Sequence, residues 1–129
     1  MIARTLVFSL FIVIPVALAG CGKVDEGPVV SFSQDIQPIL DRHCSACHTG
    51  TGAGVEASGF RTDSYAAVRA GTRFGPMIEP GDPLSSSLYR LVSGREIDPS
   101  IRMPHGDAKM PEAEVKLIED WIRQGALDN

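Results

Sequence analysis

The strongest constraint on the fold is a five-residue segment in the first half of the chain, Cys44-Ser45-Ala46-Cys47-His48. Two thiols three residues apart lie on one turn of a helix, where each can add to one vinyl group of the same porphyrin. The next residue, His48, then lies under the iron and supplies an imidazole nitrogen as proximal ligand. This Cys-x-x-Cys-His spacing is the attachment signature for c-type haem. The segment therefore predicts one covalently bound haem c.

The first 20 residues have the organisation of a secretory signal. Arg4 precedes the apolar stretch Leu6–Leu18, which is shorter than the ~20 apolar residues that a membrane helix needs. The following sequence, Leu18-Ala19-Gly20-Cys21, resembles the lipobox of bacterial lipoproteins. We therefore predict a signal peptide over residues 1–20 and lipidation of Cys21. The protein would then be exported and anchored to a bacterial membrane, facing the periplasm or the cell exterior; an uncleaved membrane helix is the alternative.

Three other interpretations of Cys44 and Cys47 compete with haem attachment. A thioredoxin-like redox centre requires a βαβ pattern, which the sequence does not show. A zinc site needs further ligands, and outside the motif only His43 and His105 are available as nitrogen or sulfur ligands once Cys21 is lipidated. A plain disulfide is compatible with an exporting compartment. The export signal, together with the lack of a spare cysteine, favours haem attachment.

Length and charge indicate one small domain that does not bind nucleic acid. The chain has 129 residues, enough for a single domain, and a formal net charge of −4 with both signs interspersed. It therefore lacks the basic face that nucleic acid requires. We predict a tether over residues 21–30 and a folded domain over residues 31–127.

Hydrophobic periodicity predicts an all-α domain with about four short helices and long loops. The helices are expected at about residues 31–46, 63–70, 83–93 and 111–124. Ser31 and Gln34 have the spacing of a capping box, and Asp82 before Pro83 is a helix start. Residues 49–59, rich in Gly, Thr and Ala, are predicted to be a surface loop. A central haem would supply the apolar bulk that such a loop-rich chain lacks.

The chain resembles a class I cytochrome c domain over roughly residues 33–126, and is most similar to the planctomycete-type domains of bacterial lipoproteins. Besides the haem motif, the resemblance rests on Asp35–Leu40, Pro80–Pro83 with Ser87-Leu88, Arg102–Pro104, and Trp121-Ile122 with Gly125-Ala126. It implies a class I cytochrome c fold, in which the N-terminal and C-terminal helices cross near the haem. It also implies a distal methionine from a loop before the last helix.

Three residues before the last helix are candidates for the sixth ligand. Met103, followed by Pro104, matches the Met-Pro of the resembled family, and a thioether ligand raises the reduction potential. Met110 adjoins the start of the last helix, where hydrophobic packing is its expected role. His105 would give a bis-His haem of low potential. We predict that Met103 binds the iron, with Met110, His105 and an open site as alternatives.

These features predict a membrane-anchored c-type cytochrome that exchanges single electrons with redox partner proteins. Because His48 and Met103 fill both axial positions, no enzymatic activity is expected. The main alternative is a haem-based sensor or a peroxidase-like enzyme with an open distal site. A lipoprotein in which the haem only stabilises the fold and a thiol–disulfide protein are further alternatives.

Five other residues are candidates for the surface, the core or a contact with the haem. His43 is expected on the surface, although it adjoins the haem motif. Trp121 is expected in the core where helices cross, with its N–H on a propionate or a carbonyl. Three arginines are candidates either for pairing with the haem propionates or for the solvated surface: Arg61, Arg73 and Arg102.

Overall fold

A computed structural model describes residues 27–95, 98–106 and 109–129. Within these ranges it contains six α-helices: α1 (Gln37–His43), α2 (Ser45–His48), α3 (Ala53–Ser58), α4 (Tyr65–Ala70), α5 (Ser87–Ser93) and α6 (Glu112–Arg123). A π-helical turn (Phe32–Ile36) precedes α1, and a 3₁₀ turn (Pro99–Ile101) follows α5. The same ranges contain no strand, only an isolated bridge between Thr72 and Gly75. The predicted small all-α fold is therefore confirmed.

The first predicted helix is divided into the π-helical turn, α1 and α2. The hydroxyl of Ser31 accepts the N–H of Gln34 at 3.2 Å, and the carboxylate of Asp35 accepts the N–H of Ser31 at 2.8 Å. The capping box had placed Gln34 in the second role. The wider π-helical turn brings the next residue, Asp35, into that position. Pro38 lies at the start of α1, where its missing N–H leaves no hydrogen bond unmade.

Helix α3 lies in the segment that was predicted to be a loop, so that prediction is wrong. The helix ends at Gly59, whose φ of 79° is the left-handed conformation that glycine adopts without strain. The guanidinium of Arg73 donates to the carbonyls of Val55 at 3.4 Å and Glu56 at 2.5 Å. The carbonyl of Val55 also accepts the N–H of Gly59 at 2.7 Å, so it is the Glu56 carbonyl, near the helix end, for which Arg73 supplies the partner. Arg73 is 17 residues beyond Glu56, so no local pattern reveals this cap.

Helix α5 begins later than the sequence indicates. Asp82 accepts the N–H of Ser85 at 3.1 Å and so stabilises a turn, and the helix begins only at Ser87. Leu84 consequently lies outside the helix and is 62% exposed, whereas Leu88 is buried. The predicted end is correct, since Gly94 terminates α5 in the left-handed conformation.

The core forms where α6 packs against the N-terminal segment. Ile118, Trp121 and Ile122 are buried along one face of α6, as their spacing predicts. The ring of Trp121 lies 5.4 Å from that of Phe32, and its indole N–H donates to the carbonyl of Leu127 at 2.9 Å. The predicted place of Trp121 in the core, with its N–H on a carbonyl, is confirmed.

The two ends of the described chain are hydrogen-bonded to each other through α6 and the residues that follow it. The side chain of Gln124 accepts the N–H of Val30 at 2.8 Å and donates to the carbonyl of Pro28 at 2.9 Å. The side chain of Asn129 accepts the N–H of Phe32 at 2.8 Å. Val30 is buried, so the last residues of the predicted tether pack as part of the domain. The packed region extends past 31–127 at both ends.

The predicted signal peptide, Cys21 and residues 22–26 lie outside the described residues. Among the helices of the described ranges, none is both long enough and apolar enough to cross a membrane.

Candidate haem site

The predicted haem-binding residues meet at one cavity of about 1030 Å³. This volume is at the upper end of the ~300–1,000 Å³ that small-molecule and cofactor sites occupy. Cys44, Cys47 and His48 line it from the haem motif, and Met103 lines it from the segment after α5. The remaining wall is largely apolar and includes Ala53, Ala57, Phe60, Phe74, Pro76, Met77, Leu88, Leu91, Val92, Ile101, Pro104 and Met110. The fold thus brings together residues that are distant in the sequence.

The two motif cysteines are free thiols held on one helical turn. The N–H groups of Cys47 and His48 donate to the carbonyl of Cys44 at 3.1 and 2.9 Å. Cys44 is half-buried and Cys47 is exposed. Burial, reinforced by the electrostatic effect of the nearby Cys47, raises the pKa of Cys44 to about 11. Cys44 therefore stays a protonated thiol at neutral pH.

The imidazole of His48 is oriented by a backbone carbonyl. Its Nδ1 lies 3.1 Å from the carbonyl oxygen of Phe60, an acceptor, so Nδ1 carries the proton. This leaves Nε2 as the nitrogen that is free to bind a metal. The ring also packs edge-on against the Phe60 ring, with 5.4 Å between the centroids. The carbonyl of His48 accepts the N–H of Thr62 at 3.0 Å, which ties the motif to the chain beyond α3.

Helix α3 approaches the same imidazole through a glycine. A Cβ at Gly54 would lie 2.5 Å from Cε1, 2.7 Å from Nε2 and 2.8 Å from Nδ1 of His48. These separations are far inside van der Waals contact, so only a residue without a side chain lets α3 lie this close. The Gly/Ala-rich composition that indicated a loop is therefore what permits this helix to cover His48.

All three candidates for the sixth ligand line the cavity: Met103, His105 and Met110. The N–H of Met103 donates to the carbonyl of Leu91 at 3.2 Å, which holds this segment against α5. Met103 is half-buried, His105 is exposed, and Met110 is buried as part of the core. The packing of Met110 agrees with its expected hydrophobic role. The identity of the sixth ligand stays a prediction.

His43 is not the surface residue that was predicted. Its side chain is 20% exposed and lines the cavity, and its Nε2 lies 2.6 Å from Oε2 of Glu114. Arg42 pairs with the same carboxylate. The two contacts join the end of α1 to the first turn of α6, and these residues were not recognisable as partners because 71 positions separate His43 from Glu114.

None of the three arginines proposed for the haem propionates lines the cavity. Arg61 pairs with Asp63, Arg73 caps α3, and Arg102 lies against Gly94. Among the described residues that line the cavity, the single Arg or Lys is Arg90 on α5, which the sequence alone does not reveal. Arg90 follows Ser87 by three residues, so the two side chains lie on the same face of α5. The sequence does not indicate that this face lines the cavity.

These residues fit a covalently bound haem. Two free thiols on one helical turn, an imidazole with an available Nε2 and a large apolar cavity occur together. No group of three or more His, Cys, Asp or Glu side chains within the described residues is arranged to hold a metal ion.

A helical domain whose Cys-x-x-Cys-His turn opens onto an apolar cavity has the organisation of a c-type cytochrome. A family profile described as planctomycete cytochrome C matches residues 44–114, more than half of the chain. The chain therefore belongs to the planctomycete cytochrome c family. Comparison with curated proteins gave no significant match, and neither did comparison with solved structures. Membership of this family implies a covalently bound haem c and haem-based electron transfer.

Proposed function

We propose that the protein is a membrane-anchored cytochrome with one haem c, which passes single electrons between redox partner proteins and catalyses no reaction of its own. The observation that carries this proposal is the convergence of Cys44, Cys47, His48 and Met103 on one apolar cavity. When bound, the haem supplies one-electron chemistry at its iron.

Each of these residues has a distinct role in the proposal. The sulfur atoms of Cys44 and Cys47 would hold the haem through two thioether bonds. His48 would bind the iron through Nε2, while its Nδ1–H bond to Phe60 fixes the tautomer and increases the basicity of the imidazole. Met103 would supply a thioether sulfur to the iron. The apolar wall excludes water, and a less solvated site favours the less charged ferrous state.

The test is the absorption spectrum of the holoprotein made with a cytochrome c maturation system. We expect a c-type haemochrome spectrum and haem that survives acidic organic extraction. Replacing both Cys44 and Cys47 by Ser should abolish that resistance. Resistant haem in the double variant would contradict attachment through this motif. A high-spin ferric spectrum that responds to added ligands would instead support a sensor or a peroxidase-like enzyme.

The membrane anchor in this proposal is a lipid on Cys21. Its support is the Leu18-Ala19-Gly20-Cys21 sequence, which lies only a few residues before the packed region that begins at Pro28. Several acyl chains hold a protein on a membrane far better than one chain. Cys21→Ser should release the domain into the soluble fraction with an unchanged haem spectrum. Persistent membrane association of that variant would indicate an uncleaved helix.

A further inference from the structure

We propose that Arg90 binds a carboxylate group of the haem, a propionate, and so fixes the cofactor at the rim of the cavity. This inference rests on the proposed function, because it requires a haem in the cavity. Arg90 lies on α5 and is the only Arg or Lys among the described residues that line the cavity.

Within the described residues, Arg90 differs from most of the other arginines because its side chain has no partner. Its side chain is half-buried, yet it makes no hydrogen bond or ion pair with any residue of the described ranges. By contrast, Arg42, Arg61 and Arg123 each pair with a carboxylate, and Arg73 caps a helix. A guanidinium that loses part of its hydration is stabilised by an anionic partner. The cavity is therefore where that partner is expected.

The position of Arg90 on α5 suits a contact at the edge of the cavity. Ser87 and Leu91 lie three residues before and one residue after it, and both line the same wall. A long side chain at this point can lay its methylene groups along apolar surface while its charged end reaches the rim. The planar guanidinium then offers two parallel N–H groups to one carboxylate.

The other titratable groups that line the cavity are less suited to hold an anion. His43 is engaged with Glu114, and the thiols and His48 are assigned to haem attachment and ligation. Asp98 carries a negative charge and accepts the N–H of Ser100 at 2.9 Å, so it would repel a second carboxylate. His105 is exposed. Arg90 is the lining residue that is positively charged at every physiological pH.

The test compares reduction potentials of the full-length holoprotein. A positive charge near the haem favours the ferrous state, so Arg90→Gln should lower the potential and Arg90→Lys should lower it less. Arg61→Gln is the matched control, because Arg61 pairs with Asp63 and neither residue lines the cavity, so its removal should leave the potential unchanged. An unchanged potential in Arg90→Gln, or an equal fall in Arg61→Gln, would overturn the inference.

A second measurement uses the unaltered protein and so does not depend on the folding of a variant. In NMR spectra of the reduced, diamagnetic holoprotein, we expect nuclear Overhauser effects between side-chain protons of Arg90 and the propionate methylene protons. Their absence would refute the role of Arg90 while covalent haem still supported the proposed function. A purified chain without covalent haem would refute the proposed function itself.

Discussion

The imidazole of His48 packs against the Phe60 ring and lies close to Gly54 of α3. A substitution at Gly54 tests whether α3 must approach the imidazole this closely. By helix propensity alone, Gly54→Ala would stabilise the protein by up to ~1 kcal/mol. The new Cβ would instead lie 2.5–2.8 Å from three atoms of the imidazole ring. Because the Phe60 carbonyl holds that ring, we expect a net loss of ~1–3 kcal/mol on chemical denaturation of the holoprotein.

The spectrum of the same variant separates a ligand effect from a simple packing effect. A displaced His48 should change the ferric absorption spectrum, whereas Glu56→Ala, an exposed change in the same helix, should not. A more stable Gly54→Ala protein with an unaltered spectrum would show that α3 does not constrain the imidazole.

A second residue-scale prediction concerns the distal side of the iron. Met103→Ala should lower the reduction potential and remove the sulfur-to-iron charge-transfer band, while the haem stays covalently attached. Met110→Ala should keep the band but destabilise the buried core by ~2–5 kcal/mol. The opposite pattern would make Met110 the ligand. If the unaltered protein lacks the band, His105 or an open site becomes the leading interpretation.

The sequence identifies site residues well where the chemistry is local. Cys44, Cys47 and His48 are adjacent, so their spacing alone suggests what they bind. Arg90 carries no such signature, because its role depends on which face of α5 lines the cavity and on its having no side-chain partner among the described residues. Both properties arise only after distant segments pack.

At the level of the elements, separate substitutions of two candidate capping residues, Asp35 and Gln34, test which of them stabilises the start of the N-terminal helix. Asp35 accepts the N–H of Ser31, whereas the side chain of Gln34 is exposed and only its backbone N–H reaches Ser31. Asp35→Ala should therefore destabilise the holoprotein by ~1 kcal/mol in urea unfolding. Gln34→Ala should change the free energy of unfolding by less than ~0.5 kcal/mol. Equal losses would favour the original capping box over the π-helical turn.

The accuracy of the predicted helices follows the range of the interactions that determine them. Helix α6 ends within one residue of its predicted limits on both sides, because its apolar face and Gly125 are local signals. Helix α3 was missed because Arg73, a distant residue, completes its C-terminal end. The start of α5 was misplaced because Asp82 can cap a turn as well as a helix.

Over the whole molecule, the arrangement of the chain ends connects the haem domain to its proposed anchor. The side chains of Gln124 and Asn129 form hydrogen bonds with the backbone of residues 28–32, so this N-terminal segment is held beside the end of α6. Periodicity indicated the helices but not this pairing, since the polar groups involved are nearly 100 residues apart. The proposed lipid on Cys21 would therefore lie close in sequence to a firmly fixed point of the domain.

The hydrogen bonds between the two ends of the described chain are best tested at Asn129. Its side chain accepts the N–H of Phe32 at 2.8 Å and donates to the carbonyl of Val30 at 3.3 Å, both beside the buried core. Asn129→Ala removes both bonds and leaves a partly buried N–H without its acceptor, which should lower the free energy of unfolding by ~1–3 kcal/mol. Hydrogen exchange at the Phe32 amide should accelerate in the same variant.

Asp128→Ala is the control, since Asp128 is exposed and makes no hydrogen bond or ion pair within the described residues. If both variants exchange at the wild-type rate, the ends of the chain are held by apolar packing around Phe32 and Trp121 instead.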